Sequence, residues 1–176
     1  DGYAGMIMLR LFAAKADAFS QDRNGETALH ILLKDENTWI ADIGLVLEVQ
    51  TWQTSIFSSK RPEIKNLRQE TPLSLTALNR DEFSLFNELM QYGADPDNVD
   101  KEGWTPLLIY SQRGSDPDIF GILLDYSESA CDQKVSMGKA KGATPLMLLK
   151  NNKILYSADD WEGKSTVALW KQKCPY

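Results

Sequence analysis

Four short segments with one shared pattern recur along the chain, and they constrain its fold more than any other feature. Each segment is a threonine, then alanine or proline, then leucine, and they begin at Thr27, Thr71, Thr105 and Thr144. Threonine is a good helix N-cap because its hydroxyl accepts a hydrogen bond from a free amide of the first turn. Proline suits the next position because its φ is already helical and it has no N–H to leave unpaired. Each segment therefore predicts the start of a helix.

A tight turn is predicted just before each of these helices. Glycine lies two residues before three of the threonines, at Gly25, Gly103 and Gly142, and Gln69 takes this place in the second segment. Glycine adopts positive φ without steric cost, which such turns require. The repeating signal is thus a turn followed by a helix.

A second apolar segment follows most of these helix starts. The clearest covers residues 83–92, where apolar side chains recur at helical spacing, and it ends in Gly93-Ala94-Asp95, whose glycine can form the C-cap. Equivalent second helices are predicted over residues 119–126 and 40–49. Residues 6–14 are expected to form the second helix of a repeat whose front is missing.

The order of these signals resembles the ankyrin repeat family. The resemblance rests on Asp22-Arg-Asn-Gly-Glu-Thr-Ala-Leu-His30, on Tyr92-Gly-Ala-Asp95 and on Asp100-Lys-Glu-Gly-Trp-Thr-Pro-Leu107, and it covers roughly residues 6–150. It implies an all-α solenoid of stacked helix–turn–helix units with hairpin loops that project from one side. One such unit cannot bury its own apolar face, so neighbouring units must share a core.

The predicted repeats form a single domain over residues 1–176, but they are irregular. The threonines are 44, 34 and 39 residues apart, whereas a regular repeat has a period of about 33. The surplus predicts long loops near residues 50–66 and 127–141, which are either part of a binding face or drift without a role. The predicted units are the end of a partial repeat (1–21), a repeat with a long insertion (22–65), a repeat (66–99), a repeat with an extended loop (100–138) and a shortened terminal repeat or cap (139–176), for which a separate C-terminal extension is the alternative.

No group of side chains in the sequence predicts catalysis or a bound cofactor. The resemblance implies that the only histidine, His30, orders its helix start and the nearby turn by hydrogen bonding. A catalytic or ligand histidine would need a nucleophile or metal-ligating partners, and the sequence offers none. Residues 158–165 fit a relaxed phosphate-binding loop, but three of them are carboxylates that would face the phosphates, so a hairpin tip is expected. We therefore predict a protein that is not an enzyme.

A calcium site is also not predicted. Asp95, Asp97, Asn98 and Asp100 are spaced like the oxygen ligands of a calcium loop, but the glycine and the glutamate lie at the wrong offsets. Helix capping and turn formation account for these residues. We expect no metal and no cofactor.

Composition excludes several other classes of protein. The net charge of −6 argues against sequence-independent nucleic-acid binding and against docking on an anionic membrane, although a small basic cluster comprises Lys60, Arg61, Lys65 and Arg68. No apolar run reaches the roughly 18 residues of a membrane span. The two cysteines, Cys131 and Cys174, are far apart and lack CxxC partners, which predicts neither a disulfide framework nor a zinc site. A reducing location in the cytoplasm or the nucleus is therefore expected.

The resemblance implies a binding surface for another protein. In the ankyrin family, partners commonly contact the hairpin tips and the inner face of the first helices. Acidic tips at Asp97, Asp100 and Glu102 predict a partner with a basic segment. The matching positions in this chain, which we predict to bind the partner, are Arg23, Asn24, Glu26, Arg68, Glu70, Lys101, Glu102, Trp104, Gln112 and Arg113.

The tryptophans are candidate anchors for a partner or members of the core. Trp104 is expected either to anchor a partner or to pack on the neighbouring hairpin, and packing is favoured for Trp161. Trp39 and Trp170 are expected in the core, and Trp52 is left open.

The sequence thus predicts a non-catalytic module for protein–protein interaction, acting as a scaffold, an adaptor or a regulatory domain. Two other classes stay open. The module is alternatively the targeting domain of a larger enzyme or of a host-directed microbial effector, the latter acting in the host cytosol, or else a structural spacer or self-association element. Because the chain begins at Asp1 rather than at a methionine, we expect it to be a piece of a longer protein.

Overall fold

The computed structural model describes residues 10, 12–14, 16–35, 38, 40–57, 64–159 and 163–175, with the backbone alone at residue 40 and residues 51–57. These residues form helices and one isolated bridge, between Asp159 and Ser165. The predicted all-α class is therefore confirmed for the described part of the chain. None of the described helices combines the length and the hydropathy that crossing a lipid bilayer requires. The helices are α1 (Ala28–Lys34), α2 (Ile40–Phe57), α3 (Pro72–Asn79), α4 (Phe83–Gln91), α5 (Pro106–Arg113), α6 (Pro117–Tyr126), α7 (Pro145–Asn151), α8 (Lys153–Tyr156) and α9 (Thr166–Lys173).

The four predicted helix starts are confirmed. Helices α1, α3, α5 and α7 each begin one residue after a threonine of the repeated segments. At Thr71, Thr105 and Thr144 the hydroxyl accepts a hydrogen bond from the amide three residues later, at 3.2–3.3 Å. Such a cap contributes about 1 kcal/mol to the stability of its helix.

The helices pack in two rows that follow the order of the chain. In the first row, α1 packs on α3, α3 on α5 and α5 on α7. Each of these helices also packs on the helix that follows it in sequence. In the second row, α4 packs on α6 and α6 on α9. Contacts between neighbours along the chain therefore build most of the fold.

The core lies between the two rows and is shared by adjacent helix pairs. Phe86 of α4, Tyr110 of α5 and Phe120 of α6 are fully buried, and the rings of Phe86 and Tyr110 meet edge to face with centroids 5.3 Å apart. Because Phe86 belongs to one helix pair and Tyr110 to the next, neither pair could bury these rings alone. Trp170 of α9 is 4% exposed and belongs to this core, as predicted.

Two predicted second helices have different bounds in the structure. Helix α2 continues to Phe57, eight residues beyond its predicted end, so the loop predicted from residue 50 was wrong over residues 50–57. These eight residues contain neither glycine nor proline, and nothing in them ends a helix. Helix α6 begins at Pro117 instead of residue 119, because Asp116 caps it and proline fits its first position. Helix α4 ends as predicted, with Gly93 at a φ of 82°.

The expectation that the two cysteines stay unpaired was also wrong, because Cys131 and Cys174 form a disulfide bond. Helix α9 packs on α6, which brings the residue after α9 next to the loop after α6. The two cysteines are 43 residues apart in sequence, so only the tertiary packing reveals the pair.

Some predictions fall outside the described residues. These concern residues 6–9 and 11 of the helix predicted over residues 6–14, Trp39, the side chain of Trp52, Lys60, Arg61 and Trp161. The division of the chain into repeat units stays a prediction.

Candidate functional site

Three turns of the same geometry lie before α1, α3 and α5, over residues 22–26, 66–70 and 100–104. In each turn the side-chain oxygen of the first residue accepts hydrogen bonds from the amides of the third and fifth residues, at 2.8–3.0 Å. The first residues are Asp22, Asn66 and Asp100. The sequence reasoning missed Asn66, although asparagine offers the same acceptor oxygen as aspartate.

The fourth residue of each turn has a positive φ, as predicted. The angles are 73° at Gly25, 61° at Gln69 and 84° at Gly103. Gln69 is thus a residue with a side chain in the left-handed region, where glycine is normally preferred. The second turn therefore keeps the shared geometry even though its fourth residue is unfavourable for a positive φ.

Backbone hydrogen bonds join each turn to the next. The Leu67 amide donates to the Asn24 carbonyl at 2.8 Å, and the Lys101 amide donates to the Arg68 carbonyl at 2.9 Å. The Ser136 amide donates to the Gly103 carbonyl at 3.2 Å and extends the series into the predicted extended loop. The turns therefore form one edge along the first row of helices.

His30 connects the first helix start to the second turn. Its ring is fully buried, Nδ1 lies 2.8 Å from the Thr27 hydroxyl, and Nε2 lies 3.2 Å from the Glu70 carbonyl oxygen. Burial lowers the pKa of His30, and the hydrogen bond to Glu70 opposes this shift. These contacts account for both ring nitrogens and match the structural role predicted for this residue.

An open groove of about 250 Å³ lies between the second and third turns and over α3 and α5. We call it the α3–α5 groove. Its apolar lining comes from Leu75, Leu78 and Ile109, which follow the helix-start threonines by four or seven residues. Six of the ten predicted partner-binding residues line it: Arg68, Glu70, Glu102, Trp104, Gln112 and Arg113.

The turn end of the groove carries an excess of negative charge. Arg68 lies 3.0 Å from a carboxylate oxygen of Glu102 and 3.4 Å from one of Glu70. Asp100 also lines the groove, so three carboxylates and one guanidinium lie at this end. Burial raises the pKa of Asp100, the nearby carboxylates of Glu102 and Glu70 act in the same direction, and hydrogen bonds from the Trp104 and Glu102 amides oppose the rise. A positive charge from outside would therefore be favoured at this end.

The opposite end of the groove, at the C-terminus of α5, is formed by Gln112 and Arg113. Both side chains are exposed. Arg113 forms no ion pair with any other residue that the structure describes. The two ends of the groove thus differ in the sign of their unpaired charge.

Four predicted partner-binding residues do not line the groove. Arg23, Asn24 and Glu26 belong to the first turn, where Glu26 pairs with Lys34. Lys101 is exposed at the tip of the third turn, beside the groove. They lie on the same edge of turns but not in the same depression.

Asp97 was predicted as part of an acidic tip, and this prediction was wrong. Its carboxylate accepts hydrogen bonds from the Ser127 hydroxyl, the Gln133 amide group and the backbone amides of Glu128 and Ser129. Burial raises the pKa of Asp97, but the hydrogen bonds from Ser127, Ser129 and Glu128 outweigh it and lower the pKa overall. The carboxylate organises the loop after α6 and is only half exposed.

The structure describes parts of the other candidate sites. Asp95 accepts a hydrogen bond from the Asp97 amide, as in a turn, and Ser165 caps α9. Residues 160–162 of the relaxed phosphate-binding pattern lie outside the described residues. Within the described ranges, no group of three or more His, Cys, Asp or Glu side chains is placed to hold a metal ion.

Comparison with protein-family models gives no match, and comparison with curated protein sequences gives no significant match.

Proposed function

We propose that this chain is an ankyrin-type repeat module that binds a protein partner and does not catalyse a reaction. The observation that supports this most is the α3–α5 groove, where four residues predicted from the turn positions and two predicted from the first helix meet around an apolar floor. Residues from two turns and two helices contribute to it. A surface assembled from neighbouring repeats is the kind that repeat proteins use for binding.

The physical properties of the groove favour a segment of protein as its occupant. The turns are tied to one another by backbone hydrogen bonds and the helices below them share a core, so little chain entropy remains to be lost on binding. Trp104 is half-buried at the wall of the groove and has the aromatic area that often dominates interface energy. An apolar side chain of the partner would cover Leu78 and the exposed part of Trp104.

The charges of the groove favour a partner with a basic residue at the turn end. Glu70, Asp100 and Glu102 outnumber Arg68 there, and each carboxylate that gains a cation becomes easier to bury. Arg113 at the other end favours an acidic group of the partner. This pattern fixes a direction for the bound segment.

The module would act as a scaffold, an adaptor or a regulatory domain of a larger protein. The location predicted from the sequence, the cytoplasm or the nucleus, stays a prediction. The disulfide bond favours an oxidising compartment for the folded chain instead.

The test is affinity capture with the wild-type chain and two charge-reversed variants. Gln112→Ala/Arg113→Glu changes the end of the groove without removing a described ion pair. Lys171→Glu is the matched control, because Lys171 is also an exposed cation in the last turn of a helix but lies on α9 outside the groove. We expect a protein that the wild type and the Lys171 variant retain and the groove variant loses at least tenfold. Equal capture by all three chains would remove the groove from the proposal.

Trp104→Ala/Glu102→Ala tests the turn end in the same assay. Because Trp104 also packs on the core, this variant needs a circular dichroism spectrum and an unfolding curve beside the binding data. Full affinity in the folded double variant would discard the proposed surface.

A further inference from the structure

The disulfide bond links two parts of the chain that the backbone keeps far apart. Cys131 lies in the loop after α6, and Cys174 directly follows α9. Their Cα atoms are 5.5 Å apart across 43 residues of sequence. The covalent loop that they close contains α7, α8 and α9.

The non-covalent contacts that hold α9 are few. Of its eight residues only Thr166 and Trp170 are buried. Its N-terminal end is held by the bridge between Asp159 and Ser165 and by the Thr166 amide, which donates a hydrogen bond to the Ala158 carbonyl at 3.1 Å. At its C-terminal end, the Lys173 ammonium donates a hydrogen bond to the Asp125 backbone carbonyl at 3.0 Å.

A helix of this length is not stable by itself in water. Besides the covalent bond, the docking of α9 depends on the buried Trp170, on the partly buried Val167 and Leu169 that pack against the core, and on a few terminal hydrogen bonds. Removing the covalent bond would leave a short helix held by one large buried side chain and two partly buried ones.

The two cysteine residues differ in their exposure to solvent. Cys131 is exposed, whereas Cys174 is 5% exposed. Thiol–disulfide exchange requires in-line approach of a thiolate to one sulfur atom, so access influences which sulfur is attacked. The greater exposure of Cys131 favours attack at its sulfur.

We propose that Cys131–Cys174 is a thiol–disulfide exchange site that locks helix α9 onto α6, and that its reaction partner is a dithiol. The first thiolate of the dithiol attacks Cys131 Sγ and forms a mixed disulfide, and Cys174 leaves as a thiolate that takes up a proton. The second thiol of the dithiol then loses its proton and attacks the dithiol's first sulfur, which is bonded to Cys131 in the mixed disulfide. This closes a disulfide within the dithiol and releases Cys131 as a thiolate, which is then protonated. Overall the dithiol loses two electrons and two protons, and the protein gains two thiols.

Release of α9 would change the outer surface of the molecule. Helix α9 forms one wall of an open groove of about 430 Å³, with α6 as the other wall. Leu169 of α9 faces Gly121 of α6, and its side chain lies 3.7 Å from the position a Cβ would have there. Reduction would therefore open this groove and uncover Gly121 and Ile122 on α6.

The first test establishes the bond and the sulfur that is attacked. The full chain is denatured without reductant and alkylated, and we expect no thiol adduct by mass spectrometry. The native chain is then exposed to glutathione as a monothiol probe and quenched by acid, and we expect the mixed disulfide on Cys131. Two alkylated cysteines in the first experiment, or glutathione on Cys174 in the second, would overturn the proposal.

The second test measures what the bond does. Hydrogen exchange is followed by mass spectrometry in the oxidised chain, in the chain reduced with dithiothreitol, and in the Cys131→Ser/Cys174→Ser variant. We expect exchange over residues 166–174 at least tenfold faster in the last two samples and unchanged exchange over α5. Unchanged exchange over α9 would refute the lock, and equal acceleration over α5 would show global unfolding instead of local release.

Discussion

Replacing Gly103 with alanine tests how closely the turns must approach each other. Gly103 has a φ of 84°, and a Cβ added to it would lie 2.8 Å from the Ser136 amide nitrogen and 2.9 Å from that of Met137. It would also overlap the Ser136 hydroxyl, which can rotate away, whereas the backbone atoms cannot. The substitution therefore strains the turn and pushes away the next loop.

The expected loss of stability follows from three terms. Alanine in the left-handed region costs about 1 kcal/mol. Separating the loop lengthens the hydrogen bond from the Ser136 amide to the Gly103 carbonyl, now 3.2 Å, and losing it costs about 1 kcal/mol. The lower entropy of the unfolded alanine chain returns about 0.5 kcal/mol. We expect Gly103→Ala to lower the free energy of unfolding by at least about 1.5 kcal/mol, since displacing the loop adds to these three terms.

Gly142→Ala is the matched control. Gly142 has a φ of 86°, almost that of Gly103, but nothing lies within 4 Å of the added Cβ. Only the strain and the unfolded-state term remain, so we expect a loss of about 0.5 kcal/mol. The difference between the two variants isolates the contact between the third turn and the following loop.

The assay is urea unfolding followed by circular dichroism at a helical wavelength. The comparison requires that the slope of the free energy of unfolding against urea concentration be the same in each variant as in the wild type. A change in this slope would mean that a different amount of structure unfolds. Equal losses in the two variants would refute the claim that the turns are held at contact distance. A larger loss in Gly142→Ala would refute it more strongly.

Three further predictions use the same measurement. Gln69→Gly should raise the free energy of unfolding by about 0.5 kcal/mol, because relief of the strained left-handed conformation outweighs the greater flexibility of the unfolded glycine chain. A lower free energy of unfolding would mean that the Gln69 side chain stabilises the turn. Burial lowers the folded-state pKa of His30 below 6.5, so its contribution is present above about pH 6.5 and is lost as the pH falls towards the folded pKa; His30→Gln should flatten stability between pH 5 and 7. Tyr110→Phe should lower the free energy of unfolding by about 1 to 2 kcal/mol, because the buried hydroxyl donates a hydrogen bond to Asp81 and accepts one from the Asp116 amide. An unchanged urea midpoint would mean that these bonds make no net contribution to stability.

The elements that the sequence predicts well are those set by neighbouring residues. A threonine cap followed by proline is a local signal, and each of the four starts a helix. The positive φ at Gly25 and Gly103 is likewise a property of the turn residues themselves. Four of the predicted partner-binding residues that line the groove belong to turns and two to the end of α5, while their role in binding stays a prediction.

The elements that the sequence does not predict depend on where the chain returns in space. The pairing of Cys131 with Cys174, 43 positions apart in sequence, requires α9 to lie on α6, and nothing in the residues between them indicates this. The role of Asp97 depends in the same way on the loop after α6, whose Ser127 and Gln133 hydrogen-bond to it. Spacing along the chain carries no information about such contacts.

Each turn contains positions that determine its backbone geometry and positions whose side chains can vary. The first residue of each turn holds two amides with its side chain, and the fourth must accept a positive φ. The second, third and fifth residues are subject to neither requirement, and their side chains differ from turn to turn, although in the second turn the Glu70 carboxylate also accepts a hydrogen bond from the Asn66 amide group at 2.7 Å. Lys101, Glu102 and Trp104 hold these places in the third turn, and the last two line the groove. Chain segments of unequal length between these helix starts can therefore keep one turn geometry while the exposed side chains change from turn to turn.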